Sequence, residues 1–281
     1  MGQNELPSFD LVVATVDRID ELGRLLDSLE SQTHRAFRVL VVDQNEDERL
    51  DPILTRHNSL AIRRLRSARG LSRARNVGLA EVCAELVAFP DDDCVFAPDL
   101  LEQVAQRLQQ QTQLDGVTGR AADADGHSSS SWARDRTLLT RANLWNRAIS
   151  FTIFLRTDLV RRVGGFDEQL GLGSEQPWSS GEETDFLVRS VDAGGRIEYD
   201  PSLTVVHPDK KLSRSALQAV GAREGASIGY ILRKHRYPLP TVGRMLLRPL
   251  GGAALALARL DGTRAHFHLS TLRGRVLGYR S

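Results

Sequence analysis

Residues 85–101 read "ELVAFPDDDCVFAPDLL", an apolar strand signal that runs straight into three adjacent carboxylates, Asp91, Asp92 and Asp93. Pro98 and Asp99 then open "DLLEQVAQRLQQQ", a helix with a favourable acidic first turn. The same rhythm extends upstream. "FDLVVATV" (9–16) and "FRVLVVDQN" (37–45) read as buried strands, and "LAIRRLR" (60–66) as a weaker third. Between them, "RIDELGRLLDSLESQT" (18–33) sets Leu22, Leu25, Leu26 and Leu29 on one helical face, and "SRARNVGLAEVCA" (72–84) predicts another helix. Strand–helix alternation of this kind predicts an α/β fold, Rossmann-like, with a mostly parallel central sheet and helices on both faces. Ligands of such sheets gather at the carboxyl ends of the strands. Asp43 and Asp91 to Asp93 occupy strand ends of that type.

Downstream the pattern loosens. "AADADGHSSSSWARDR" (121–136) is polar and Ser-rich and reads as a loop, one that closes over a site or equally one that is mobile without function; "RAISFTIFLR" (147–156) recovers a strand. A Gly-rich loop (161–181) precedes the helix "EETDFLVRSVDAGG", and "RIEYDP" and "LTVVHP" read as two short strands. Beyond His207 the chain turns helical and basic, which places a boundary near Pro208. Residues 1–207 form the α/β domain and 208–281 a basic helical extension.

Length and composition fit a soluble globular protein: 281 residues with 41% hydrophobic and 26% charged residues. Cys83 and Cys94 are the only cysteines, which excludes a disulfide framework and a zinc-ligand spacing. The opening "MGQNELPSFD" lacks the basic start and apolar stretch of a signal peptide. "PLGGAALALARL" is too short to span a bilayer, which takes roughly 20 apolar residues. A cytoplasmic address follows as an expectation. The net charge of +1 hides an asymmetry: residues 208–281 hold fourteen Lys or Arg against three acidic residues, a net of +11, leaving −10 for 1–207. Such a tail suits an anionic membrane surface, at the inner face of the membrane; it also reads as a neutraliser of a phosphate-bearing acceptor, or as a solvated extension packed on the body. Nucleic acid is not expected as a partner, because aromatics are sparse in the tail and no recognition motif is present.

Three adjacent aspartates need a positive partner, or water. An exposed Asp-rich turn that caps a helix satisfies them with water alone. At the end of a buried strand, a divalent cation answers better: hard oxygen ligands select Mg2+ or Mn2+, ions that bridge to phosphate, and Asp91 and Asp93 stand one residue apart. "RGLSRARNVGL" offers a loop glycine, a helix N-terminus and Arg73 or Arg75 for an anion. It is neither a Walker loop nor a dinucleotide fingerprint.

Taken together, "VVATVDR", "VVDQN", "GLSRARNVGL", "FPDDDCVFAPDLL", "VGGFDE" and "GEETDFLVR" stand in the order found in family 2 glycosyltransferases, and the chain resembles that family over roughly residues 8 to 210. The resemblance implies a GT-A fold and inverting transfer of a sugar from a nucleotide-diphosphate donor, usually UDP-linked. It implies that Ala14 and Thr15 contact the nucleotide, Ala replacing the family's Pro. Asp43 would accept from the base, and Gly70 and Arg75 would lie near base and diphosphate. Asp91 and Asp93 match the outer members of the family's Asp-X-Asp, with Asp93 as direct metal ligand and Asp92 near the ribose. His207 resembles a histidine that completes the metal site in some such enzymes. It is equally read as a structural histidine at a strand end.

"GEETDF" is similar to the family's Gly-Glu-Asp-X-Asp, whose second acid is the catalytic base. That position is Glu183, one methylene longer than the family's Asp, with Asp185 as the fallback base and Glu182 holding acceptor hydroxyls. As a bare sequence, the segment also reads as an acidic helix start. Trp178 is either a platform for an acceptor sugar or a packed side chain. The resemblance implies an acceptor that is a glycan or lipid-linked glycan, as in cell-surface polysaccharide biosynthesis. Two alternatives stand beside this expectation: a nucleotide-sugar-binding protein without catalysis, and a sugar nucleotidyltransferase. The latter usually carries a Gly-rich basic loop after the first strand, where this chain has "ATVDRIDEL".

Overall fold

The computed structural model describes residues 5–128, 131–208 and 213–281. Ser129 and Ser130 of the Ser-rich segment, and 209–212 with Lys210 and Lys211, lie outside the described residues. Along the chain run β1 (Phe9–Thr15), α1 (Ile19–Glu30), β2 (Phe37–Asp43), α2 (Asp51–Arg56), β3 (Ile62–Arg66), α3 (Leu71–Leu79), β4 (Leu86–Ala88), β5 (Val95–Phe96) and α4 (Leu100–Gln110). Next come β6 (Gly116–Ala122), β7 (Thr137–Leu138), β8 (Ile153–Arg156), α5 (Thr157–Val163), α6 (Glu182–Asp192), β9 (Ile197–Val206), α7 (Arg214–Lys234), α8 (Leu239–Ala258) and α9 (Gly262–Arg280).

The chain divides into two compact units. The first comprises 1–69, 73–166 and 186–209, and the second 70–72, 167–185 and 210–281. The second unit thus takes in the Gly-rich loop and the start of α6 as well as the basic helices, rather than beginning cleanly at 208.

In the first unit the strands form one sheet, in the order β3-β2-β1-β4-β8-β6-β9-β5 with β7 on β9. β3, β2, β1 and β4 are mutually parallel, and β8 enters antiparallel between β4 and β6. Side chains of β1 alternate between two apolar faces. Leu11 and Val13 join the core with Leu22, Leu25, Leu26 and Leu29 of α1 and Leu101, Val104 and Leu108 of α4. Val12 and Val42 face α3, where a Cβ on Gly78 would meet Val12 Cγ1 at 2.4 Å. Glycine there lets the helix lie against the sheet. The register sets Thr15 beside Asp43 and Ala14 beside Asp91, so three carboxyl-end positions are brought level.

In the second unit α7 and α9 pack through glycines. A Cβ on Gly225 or Gly229 of α7 would come within 2.3 Å of a backbone oxygen of α9, and one on Gly278 within 1.9 Å of Ala226 O. Gly225, Gly229 and Gly278 are therefore contact positions between the two helices, whereas Gly243 and Gly251 of α8 have nothing within 4 Å.

Candidate functional site

At the carboxyl end of the parallel strands, the first unit gathers Thr15, Asp43 and Asp91 to Asp93. Each of the three consecutive carboxylates has its own partner. Arg75, almost wholly buried on α3, donates from Nη2 to Asp91 Oδ1 at 2.9 Å, and Ser150 Oγ donates to the same oxygen at 3.1 Å. The Arg75 guanidinium also lies over the Phe166 ring at 5.4 Å, so apolar packing fixes its position. Thr15 Oγ1 donates to Asp92 Oδ2 at 2.8 Å. Arg18 Nη1 bridges Asp92 Oδ1 and Asp93 Oδ2, 2.8 Å from each. The other oxygen of Asp93 lies 3.0 Å from His207 Nε2.

Burial pushes the Asp92 carboxyl up to about 6, against the pull of Arg18 and Thr15, and the neighbouring Asp93 charge adds to the rise. Burial likewise raises the Cys94 thiol well above its usual range, which makes it an inert core group.

The residues expected to hold a metal do come together. Asp91, Asp93 and His207 each offer a ligand atom, and these atoms lie within 4.8 Å of one another. His207 follows β9 directly, and its ring stacks on Phe151 with centroids 4.9 Å apart and planes 10° apart. Two carboxylates and an oriented imidazole suit Mn2+ or Mg2+. The residues fit the ion.

Asp43 is fully buried and heavily engaged. Oδ1 accepts from the backbone and side chain of Asn45, at 2.8 and 2.7 Å. Oδ2 accepts from Arg64 Nε at 2.8 Å and Arg66 Nη1 at 2.9 Å. Of the two arginines, Arg66 is the more open, 42% exposed against 19% for Arg64. Ala14 is half-buried, and the Thr15 hydroxyl is committed to Asp92.

The second unit holds the acidic start of α6. Gly181 precedes it with φ +77°, and a Cβ there would meet Ile231 Cδ1 at 3.1 Å; left-handed backbone and close approach both call for glycine. Glu182 is buried, Glu183 half-buried and Asp185 fully buried. Asp185 Oδ1 accepts from Lys234 Nζ at 2.6 Å and from His235 Nε2 at 2.8 Å. Lys234 also reaches Asp167 at 2.6 Å. Burial opposes the charge on Lys234, but its bonds to Asp167 and Asp185 outweigh burial and raise its pKa. Trp178 stacks on Tyr230, centroids 4.6 Å apart and planes 7° apart, so one ring face is already covered. Gly70, at φ +132°, precedes α3, whose Leu71 N–H donates to Leu172 O.

Four participants had no local sequence signal: Arg18, Ser150, Lys234 and His235. A lone Arg, Ser, Lys or His in a helical or turn context is ordinarily solvated, and only the fold supplies their carboxylate partners.

The sheet topology and the strand-end acid cluster define an α/β fold with its candidate site at the carboxyl ends of the strands, and comparison with known proteins identifies its class. The model of the family described as "Glycosyl transferase family 2" matches residues 10–161, more than half of the chain, and the chain belongs to that family. It is 25% identical over 282 residues to the pre-mycofactocin glycosyltransferase of Mycobacterium tuberculosis, covering 94% of this chain and 56% of that protein. It is 23% identical over 214 residues to glycosyltransferase AglE of Haloferax volcanii, covering 72% and 67%. The chain thus spans little more than half the length of the mycobacterial relative. Among solved structures, it resembles the mannosyltransferase PcManGT from Pyrobaculum calidifontis in complex with GDP-Man and Mn2+. That match has TM-score 0.70 and 18% identity, covering 98% of this chain and 88% of that one. It also resembles S. aureus TarS 1–349 in complex with UDP-GlcNAc, with TM-score 0.60 and 17% identity, covering 98% and 91%. The fold is GT-A, with a helical C-terminal region.

Proposed function

We propose that the protein is an inverting, metal-dependent glycosyltransferase that moves a sugar from a nucleotide-diphosphate donor, UDP-linked, to a hydroxyl of a glycan or lipid-linked glycan. The observation that carries this reading is the convergence of Asp91, Asp93 and His207 at the ligand-binding end of the sheet, with Asp91 fixed by buried Arg75. Asp91, Asp93 and His207 would hold a Mn2+ or Mg2+ ion, which would supply charge neutralisation for the diphosphate leaving group. Arg75 orients Asp91. Arg18, now shared between Asp92 and Asp93, is a long cation able to turn toward phosphate oxygens. Ala14, Thr15, Asp43 and Gly70 border the nucleotide, and Asp92 the ribose.

Glu183 accepts the proton of the acceptor hydroxyl as that oxygen attacks the anomeric carbon from the face opposite the leaving group. The half-buried setting of Glu183 supports its choice over Asp185, whose buried oxygen already takes two donors. Glu182 and the open face of Trp178 serve the acceptor. The chain works on the cytoplasmic side, its basic segment against an anionic membrane, in building cell-surface polysaccharide.

The test is a panel of nucleotide sugars with and without Mn2+, read by thermal stabilisation and by product. Release of nucleoside diphosphate supports the proposal. Release of pyrophosphate establishes a nucleotidyltransferase instead. Stabilisation by donor without any hydrolysis or transfer establishes a binding protein.

A further inference from the structure

The second unit leaves one helix face that the proposed chemistry does not use. α8 buries Val242, Met245, Pro249, Ala253 and Ala256 on one side. Its opposite side is apolar as well. Leu247 is 59% exposed, Leu250 44%, Leu255 55% and Leu257 59%, and Leu260, just past the helix, 94%. Leu247, Leu250 and Leu257 fall on one face, while Leu255 stands on the arginine side; isolated exposed leucines are ordinary, but a row of them along one helix marks an interaction surface. Exposed Arg244, Arg248 and Arg259 line one edge of this face at helical spacing. None of the three has an ion-pair partner among the described residues, and α8 carries no Asp or Glu. Behind it Arg275 of α9 is buried, donates to Met245 O of α8, and leaves its Nε without an acceptor. Arg275 thus adds a positive charge behind the α8 face.

These features choose among occupants. A second copy meeting this face would bring arginines against arginines, with no carboxylate on α8 to receive them. A folded acidic partner would satisfy the arginines, but not a row of leucines turned to solvent. An anionic bilayer offers both, phosphates at the level of the arginines and hydrocarbon below them. No helix among the described residues is long and apolar enough to cross a membrane, so the contact is a helix lying in the interface.

We propose that α8 is a membrane-docking helix, with Leu247, Leu250 and Leu257 entering the headgroup–acyl boundary and Arg244, Arg248 and Arg259 meeting lipid phosphates. The inference deepens the membrane part of the functional proposal by naming the surface. It rests on α8 alone and holds whatever the donor is.

The experiment is co-sedimentation of the purified full chain with phosphatidylcholine vesicles, with and without phosphatidylglycerol. Binding is expected only to the anionic vesicles, falling as salt is raised. Arg244→Gln/Arg248→Gln lowers partitioning about thirtyfold at low salt, from about fivefold per arginine. Leu247→Ser/Leu257→Ser lowers it by about tenfold or more even at low salt. Both pairs are exposed, so melting temperatures should match wild type. Equal binding by all variants, or no preference for anionic lipid, overturns the proposal. So does a dimer in gel filtration that Leu247→Ser/Leu257→Ser dissociates, which assigns the face to a second copy. Donor stabilisation measured without vesicles keeps the two readings apart: its loss with vesicle binding intact counts against the glycosyltransferase assignment alone.

Discussion

Asp185→Asn separates a base from a strut. Asp185 is 0% exposed, and its Oδ1 takes Lys234 Nζ and His235 Nε2. Removing one member of a fully buried ion pair costs about 3–5 kcal/mol. Here the cost is smaller. Lys234 keeps Asp167 at 2.6 Å and is 27% exposed, and the asparagine carbonyl still accepts one bond. An expectation of about 1–3 kcal/mol follows, or a melting point lower by about 3–10 °C for a chain of this size. Lys234 sits above its ordinary 10.5, so the stabilisation is complete below that value and fades only as pH rises through the raised pKa. The difference between wild type and Asp185→Asn should therefore be flat from neutral to mildly alkaline pH. Glu183→Gln should act on turnover instead, lowering it by about 10²–10⁴-fold with donor stabilisation retained. Scanning calorimetry and nucleoside diphosphate release, on both variants, decide the matter. An Asp185→Asn variant that melts like wild type and is inactive, beside a Glu183→Gln variant that turns over normally, would reverse the two roles.

Three other outcomes follow from the geometry. His207→Ala removes one of three candidate ligands and should abolish Mn2+-dependent stabilisation by donor, with metal-free melting changed little; Asp93→Ala should also abolish that stabilisation, and it leaves Arg18 with Asp92 alone. Gly278→Ala places a Cβ 1.9 Å from Ala226 O; separating α7 from α9 should cost about 1–3 kcal/mol, exceeding the gain of about 1 kcal/mol in helix propensity, as chemical denaturation will show. Arg38→Met strips the fully buried Asp10 of two bonds at 2.7 and 2.9 Å, leaving the N–H groups of Cys83 and Ala84; about 2–3 kcal/mol should be lost, read as a lower urea midpoint.

The parallel half of the sheet was legible because its signals are local. Continuous apolar runs bounded by turns mark β1, β2 and β4, and one leucine stripe marks α1. β6 was not legible. "GVTGRAA" has two glycines where a strand should have side chains, yet both are required: a Cβ on Gly116 would lie 2.6 Å from Phe154 O, and one on Gly119 2.3 Å from Leu203 O. "RIEYDP" and "LTVVHP", read as two strands, are one ten-residue β9 that carries Pro201 through, with the β6 register shifting between Thr118 and Arg120. Neither correction could come from periodicity, since each depends on which backbone lies opposite. The site divides the same way. Strand ends announce where carboxylates gather, but which oxygen each cation takes is a property of the assembled sheet.

That division bears on why three aspartates can stand together at all. Arg75 and Ser150 hold Asp91, Thr15 and Arg18 hold Asp92, and Arg18 and His207 share Asp93. The protein thus supplies enough positive charge to tolerate the cluster unaided, with Asp92 kept near the edge of ionisation by burial. Not all of that charge is fixed. Arg75 is buried and held by Phe166, whereas the Arg18 side chain is 37% exposed. A cation entering among Asp91, Asp93 and His207 competes with Arg18 for Asp93, and not with Arg75 for its place. Arg18→Ala should then strengthen Mn2+ binding while weakening retention of the donor's diphosphate. Titration calorimetry with the metal alone, then with metal and nucleotide, reads the two effects separately; weaker metal binding in Arg18→Ala would show that the arginine builds the site instead of yielding it.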